Sequence, residues 1–324
     1  MSQKLNLPQL IVILGPTASG KTELALKLAK KFNGEIISAD SRQIYKEMII
    51  GTNKIQNSKF KIQNNKTNYK QVINYHNIPH HMIDIINPNK EFTLAIYKKL
   101  AIAIIKDIQK RNKLPFLVGG TGLYISSIID NFKIPTVAPN KKLRKKIENE
   151  INKYGIEKIY QKLLKLDPEA EKFIQKNNVH RIIRALEVCL SNGKLFSQQR
   201  QKNKPLFNVL QLGIKTSREK LCKKINQRVD QMIKNGLLEE VIGLSKKYHW
   251  NLPSMSGIGY KQMGMYLRNE ISLDAAIELI KRDTRRYARR QMTWFKKDKR
   301  IIWISTQKQA EKLIEMFGGP TSKH

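Results

Sequence analysis

A chain of 324 residues is long enough for one large domain with a second one inserted or appended. Its 61 Lys and Arg stand against 26 Asp and Glu, a net charge of +35 that is too one-sided for an enzyme of neutral small molecules and indicates a polyanionic partner such as nucleic acid. The two cysteines, Cys189 and Cys222, are far apart, which excludes a cysteine-rich zinc site and fits a reducing compartment. No apolar run approaches membrane-spanning length and none resembles a signal peptide, so a soluble, cytoplasmic protein without membrane association is expected.

The first predicted element is the apolar strand Leu10–Leu14. It runs into Gly15-Pro16-Thr17-Ala18-Ser19-Gly20-Lys21-Thr22, which satisfies the phosphate-loop pattern G-x-x-x-x-G-K-[ST]. The helix-forming stretch Glu23–Lys30 follows. This strand–loop–helix context lets glycines wrap an anion in backbone N–H groups, with the helix N-terminus adding partial positive charge. Lys21 supplies a mobile full charge and Thr22 a hydroxyl for a phosphate-bound Mg²⁺. The segment Gly15–Thr22 is therefore read as a diphosphate- or nucleotide-binding loop.

A second strand, Glu35–Ser38, delivers Asp40 to its carboxyl end, where open α/β sheets place their ligands. Asp40 with Gln43 three residues on fits either a helix N-cap with a capping-box partner or a catalytic carboxylate. Residues 53–77 are rich in Asn, Lys and Gln and are read as a mobile, low-complexity surface insertion. Further strands are expected at Met82–Ile85, Pro115–Val118, Asn208–Ile214 and Ile301–Ser305. The adjacent His80 and His81 read as packing or capping residues near a strand start. The strand Pro115–Val118 ends in Gly119-Gly120-Thr121-Gly122 rather than in an acidic residue that would hold Mg²⁺, which argues against plain ATP hydrolysis.

From Pro139 to Gln201 the pattern is of consecutive charged amphipathic helices, clearest at Val179–Val188. The expected architecture is an α/β protein: a P-loop NTPase-like parallel sheet core (1–132 and 205–324) with an inserted all-helical domain (133–204). The last long helix, from about Asp274 to Lys297, puts Arg282, Arg285, Arg286, Arg289 and Arg290 on one face. Tyr287, Ala288, Met292, Trp294 and Phe295 fall on the other. Five clustered arginines suit phosphate-backbone contact.

Taken together, Gly15–Thr22, Ser38–Tyr45, Gly51–Lys54, Pro79–Asp84, Leu117–Tyr124, His180–Val188, Arg228 with Met232 and Gly236, Gly257–Met263 and Arg289–Phe295 occur in an order that resembles bacterial tRNA dimethylallyltransferases over essentially the whole chain. The resemblance implies transfer of a dimethylallyl group from dimethylallyl diphosphate to N6 of the adenosine 3′-adjacent to the anticodon, with Mg²⁺ as cofactor and the tRNA anticodon stem-loop as partner. It implies that Asp40 is the base, that Thr22 and Arg228 are diphosphate ligands in the catalytic set, and that Thr22 meets the Mg²⁺. It also implies that Asp40, Ser41, Arg42, Gln43, Thr121, His180, Arg181, Ile182, Ile183, Arg184, Ser256, Gly257, Ile258, Gly259, Tyr260 and Lys261 lie in tRNA-contacting segments. The chain departs from the family in the longer 53–77 tract and in Ser256, where a basic residue is common. A monomer is expected. The rival readings are a prenyltransferase of free adenine nucleotides, a phosphate-loop kinase or NTPase, and a basic RNA-binding protein whose loop holds a nucleotide only structurally.

Overall fold

The computed structural model describes residues 7–54, 72–134, 137, 139–193, 195–199 and 202–318. In chain order the first elements are β1 (Gln9–Leu14), α1 (Lys21–Lys31), β2 (Gly34–Ala39), β3 (Val72–Tyr75), β4 (Ile78–His81), α2 (Leu94–Lys110), β5 (Leu114–Gly119) and α3 (Gly122–Ile129). Next come α4 (Lys141–Tyr154), α5 (Ile156–Leu166) and α6 (Val179–Asn192), all helical. The chain then continues with β6 (Asn208–Ile214), α7 (Arg218–Lys234), α8 (Leu237–Ser245), α9 (Tyr260–Leu267), α10 (Leu273–Phe295), β7 (Ile301–Ile304) and α11 (Gln307–Gly318).

Two compact units result, Met1–Ile129 with Pro205–His324, and Asp130–Lys204. In the first, the strands form one sheet in the order β3-β4-β2-β5-β1-β6-β7. Every neighbouring pair is parallel except β3–β4. The strand β1 shows why such a sheet forms. Its residues are apolar on both sides, as expected of a strand covered by helices above and below. Leu10, Val12 and Leu14 enter one core with Tyr97, Ile105, Ile125, Val229 and Phe295, while Ile11 and Ile13 enter another with Leu28, Ala29, Ala310 and Ile314. One strand thus serves two cores through the two-residue period of extended chain.

The α/β expectation holds for β1, β2, β5, β6 and β7, and fails at one edge. Met82–Ile85 is not a strand. The strand is Ile78–His81, and the chain leaves the extended region at Met82 (φ 65°) and Asp84 (φ 55°). Residues 84–86 instead follow the loop after β2, with Asp84 N–H donating to Gln43 O (3.0 Å) and Ile85 N–H to Ile44 O (2.9 Å).

The end of the 53–77 tract is likewise no loose insertion. Val72–Tyr75 pairs antiparallel with β4 through a two-residue turn whose central residues, His76 and Asn77, both have positive φ (48° and 62°). That is the turn geometry that matches the twist of a hairpin. At the other end of the tract Lys54 is buried. The intervening 55–71 lie outside the described residues.

The helical unit Asp130–Lys204 has its own core of Ile147, Ile159, Leu163, Ile182 and Leu186. Within it the fully buried Glu187 accepts from Arg144 (2.9 Å) and pairs with Arg184. On α10, Arg282, Arg286, Arg289 and Arg290 are exposed as expected. The opposite face differs, because Trp294 stays 43% exposed and the buried positions are Ala288, Gln291 and Phe295. Trp294 lies against Gly122, where a Cβ would come within 2.4 Å of the indole ring.

Candidate active site

The phosphate loop leaves the carboxyl end of β1 and enters α1 through Gly20, whose φ of 89° suits glycine. Gly15 has a separate reason to be glycine: a Cβ there would sit 2.9 Å from Ser19 Oγ. Lys21 Nζ lies 3.3 Å from Pro16 O, in the pose of a lysine folded back over its own loop. Ser19 Oγ is buried and meets no protein partner. An unpaired buried hydroxyl costs about 1–3 kcal/mol, so the loop suits an occupant that accepts hydrogen bonds, as an anion does.

Three elements converge on this loop. From α7, Arg228 Nη1 donates to Thr17 Oγ1 (2.9 Å). From α10, Gln291 Oε1 accepts from the Thr17 amide (2.9 Å), while its Nε2 donates to Gly120 O (2.9 Å) at the end of β5. Gln291 thereby stitches the phosphate loop to the neighbouring strand. Burial pushes the Lys21 pKa down to about 8, against the attraction of Asp40 and assisted by the repulsion of Arg228. Arg228 is also lowered by burial, with Asp40 opposing. Two desolvated cations beside a phosphate loop form a site short of negative charge.

Asp40 supplies part of that charge. It follows β2 directly, half-buried, and its Oδ1 accepts from Arg42 N–H (2.8 Å). This is a tight Asx turn and not a helix cap, since no helix starts there. Gln43 is no capping-box partner either: it accepts from Ser38 Oγ (3.1 Å) and donates to Thr52 O and Asn53 O (3.4 Å each). The turn is set against β5 by Thr121, whose N–H donates to Ala39 O (3.1 Å) and whose Oγ1 accepts from Ser41 N–H (3.1 Å). The close approach requires glycine at 119, where a Cβ would lie 2.2 Å from Ala39 O. Underneath, the stacked rings of Tyr97 and Tyr124 (centroids 3.8 Å apart) form the apolar floor, and Tyr97 Oη donates to Ser38 O (3.1 Å).

Arg42 reaches from the same turn to the loop before α9, donating to Pro253 O (2.6 Å) and approaching Ser256 Oγ (3.4 Å). Around it Ser256 and Lys261 are exposed, Ile258 is half-buried, and Gly257 and Gly259 are buried. Tyr260 is buried and donates to Glu240 (2.7 Å), which also accepts from the Ile49, Ile50 and Gly51 amides. It packs so closely that a Cβ at Gly51 would lie 2.5 Å from its ring. In the helical unit His180 and Arg181 are exposed on α6, whereas Ile182 and Ile183 are core residues and Arg184 is held by Glu187 and Val137 O (3.0 Å).

The structure thus brings together Gly15–Thr22, Asp40–Gln43, Thr121, Arg228 and Ser256 within the sheet-containing unit. It withdraws the side chains of Ile182, Ile183 and Tyr260 into cores, where they have no free surface to offer a ligand. Gln291 and Lys54 were not singled out for a role from sequence. Gln291 had a signal, a carboxamide on the apolar stripe of α10. Among the described residues no group of three His, Cys, Asp or Glu could hold a metal ion. The Thr22 hydroxyl, at the start of α1, is of a donor type that suits a hard cation whose remaining ligands are phosphate oxygens and water.

Fold and site together define a phosphate-loop α/β protein with a carboxylate set opposite two desolvated cations. The chain matches the profile described as IPP transferase over residues 43–298 and that described as isopentenyl transferase over residues 8–75. It is 46% identical over 315 residues to the tRNA dimethylallyltransferase of Caldanaerobacter subterraneus subsp. tengcongensis, covering 95% of both chains. Among solved structures it is similar to the tRNA isopentenylpyrophosphate transferase of Bacillus halodurans (36% identity, TM-score 0.67, 96% of both chains). It is also similar to a eukaryotic dimethylallyltransferase described as acting on tRNA (26% identity, TM-score 0.74, 98% of this chain and 81% of that one). The chain belongs to the IPP transferase family.

Proposed function

We propose that this protein transfers a dimethylallyl group from dimethylallyl diphosphate to the N6 amine of the adenosine 3′-adjacent to the anticodon in tRNAs, releasing diphosphate. The observation that carries the reading is the placement of Asp40 beside the phosphate loop, within electrostatic reach of both Lys21 and Arg228. A carboxylate opposite a diphosphate cradle suits removal of a proton from an incoming amine.

The N6 lone pair of adenine is delocalised into the ring, and the amine is a poor nucleophile. Asp40 accepts its proton as the N–C bond forms, and its Asx bond to Arg42 holds the carboxylate in place. The allylic carbon gains positive charge as its C–O bond breaks, and the bonding pair leaves with the diphosphate. Loop amides, Lys21 and Arg228 stabilise that departing charge where it develops. Thr22 would hold Mg²⁺ together with the diphosphate, and the ion when bound supplies further neutralisation of the leaving group.

A stacked adenosine cannot reach a pocket at the carboxyl ends of the inner strands, so the target base is flipped out. In the sheet-containing unit the exposed arginines of α10, the Ser41–Arg42 turn, Thr121 and the exposed Ser256 and Lys261 form an RNA-contacting set, through phosphates and bases. In the helical unit the exposed His180 and Arg181 are its RNA-contacting residues. The test is incubation with dimethylallyl diphosphate and Mg²⁺, supplying either unmodified tRNA or AMP, followed by nucleoside mass analysis. A dimethylallyl adenosine formed in tRNA at a rate well above that on AMP is expected. Faster prenylation of AMP, or phosphate release without prenyl transfer, would overturn the reading.

A further inference from the structure

Lys54 ends the Gly51–Lys54 turn, whose Thr52 and Asn53 carbonyls accept from Gln43. Its side chain is only 2% exposed, and its ammonium donates to Asp84 Oδ1 and Tyr45 O. Asp84 itself has left-handed backbone (φ 55°), shortly after the end of β4. An ammonium has three N–H donors, and among the described residues these two partners account for two of them.

Lys54 also lines two cavities. The first, about 740 Å³, is walled by Thr22 and the exposed face of α1. The second, about 230 Å³, is walled by Arg228 and by the apolar Ile49, Ile50 and Met232. Lys54 and Asn53 are the lining residues common to both. Lys54 is thus a residue shared by the cavity that holds Thr22, the group assigned to Mg²⁺, and the cavity that holds Arg228, assigned to diphosphate. Burial lowers its pKa while Asp84, Glu240 and Asp40 hold it up, which marks it as a desolvated charge surrounded by the acids of this site.

We propose that Lys54 is a third cation of the diphosphate site, contacting the leaving group and stabilising it as it departs. The inference rests on the transfer reaction proposed above. In that step the allylic C–O bond breaks, its electron pair stays on the diphosphate oxygen, the N–C bond forms, and the N6 proton passes to Asp40. Lys54 donates a hydrogen bond to the diphosphate and keeps its own proton.

Because Lys54 and Asp84 form one pair, two substitutions that break it make opposite predictions. Lys54→Met removes the ammonium, whereas Asp84→Asn keeps it and frees it from its carboxylate. The double variant Lys54→Met/Asp84→Asn leaves no unpaired charge of the pair behind, which protects the comparison if Lys54→Met alone does not fold. The probe is inorganic pyrophosphate with Mg²⁺, its dissociation constant measured by calorimetry. Asp84→Asn should bind it within threefold of the unsubstituted protein or more tightly, and the variants lacking Lys54 at least thirtyfold more weakly. Equal weakening by Asp84→Asn and by the double variant would reduce Lys54 to an anchor and overturn the proposal. So would unchanged binding without Lys54. Failure of the unsubstituted protein to bind pyrophosphate would instead overturn the diphosphate reading of the loop itself.

Discussion

Lys21 is a lysine whose charge is half-prepared to leave. In the free protein its pKa is pushed down to about 8, burial outweighing the attraction of Asp40. A diphosphate beside it favours the charged form, so the bound lysine keeps its proton to higher pH. Below about pH 8 both states carry the proton and this residue gives affinity no pH dependence. Above it the free lysine is neutral and binding takes up a proton, so donor affinity should fall by about tenfold per pH unit. Calorimetry with dimethylallyl diphosphate between pH 7 and 9.5 checks this, and affinity flat across that range would refute it. That Lys21 and Thr22 open α1 and that Asp40 follows β2 was readable in the chain, because a contiguous motif and a strand end carry them. The pairings of Gln291 and Lys54 were not. Gln291 meets Thr17 across 274 positions of sequence and Lys54 meets Asp84 across 30, pairings that only the fold creates.

At the scale of elements, the buried strands declared themselves and the edge did not. Runs such as Leu10–Leu14 and Pro115–Val118 are apolar because both faces are covered, so their strand character is visible without knowing their neighbours. The β3–β4 hairpin is written in Asn, Tyr, His and Pro, and its turn sits at the end of a polar tract that masks it. What holds the inner end of β4 is a buried charge cluster. Glu35 on β2 is 1% exposed and accepts from Arg111 (2.9 Å), Lys113 (2.9 Å) and His81 (2.8 Å). Burial alone would raise its pKa, but these three donors hold it well below the usual carboxylate range. A depressed carboxylate contributes stability that is complete above its unfolded pKa of about 4.5 and is lost as pH falls below it. Glu35→Gln should therefore lower unfolding free energy by about 3 kcal/mol at pH 7, because cations remain facing a neutral group. It should also flatten the decline of stability between pH 5 and 3. Urea titrations across that range measure both, and an unchanged acid slope would contradict the assignment.

Across the whole molecule, a charge of +35 points to a polyanion but does not say which residues meet it. The fold sorts them. Arg111, Arg144 and Arg184 are tied to buried carboxylates, whereas Arg282, Arg286, Arg289 and Arg290 stand on an exposed face of α10. Burial also separates the resemblance-based contacts, leaving His180, Arg181, Ser256 and Lys261 at the surface and drawing Ile182, Ile183 and Tyr260 inside. Pattern alone could not make that distinction, because a segment can match a family motif through its packing residues as well as through those that touch a ligand. Chemistry and RNA binding should accordingly be separable. The most direct test is Asp40→Asn, which keeps an oxygen to accept from Arg42 N–H but removes the base. Single-turnover transfer to an unmodified anticodon stem-loop should slow by about 10²–10⁴-fold, the range for losing a general base, with RNA affinity within threefold. Transfer within tenfold of the unsubstituted rate would contradict the account.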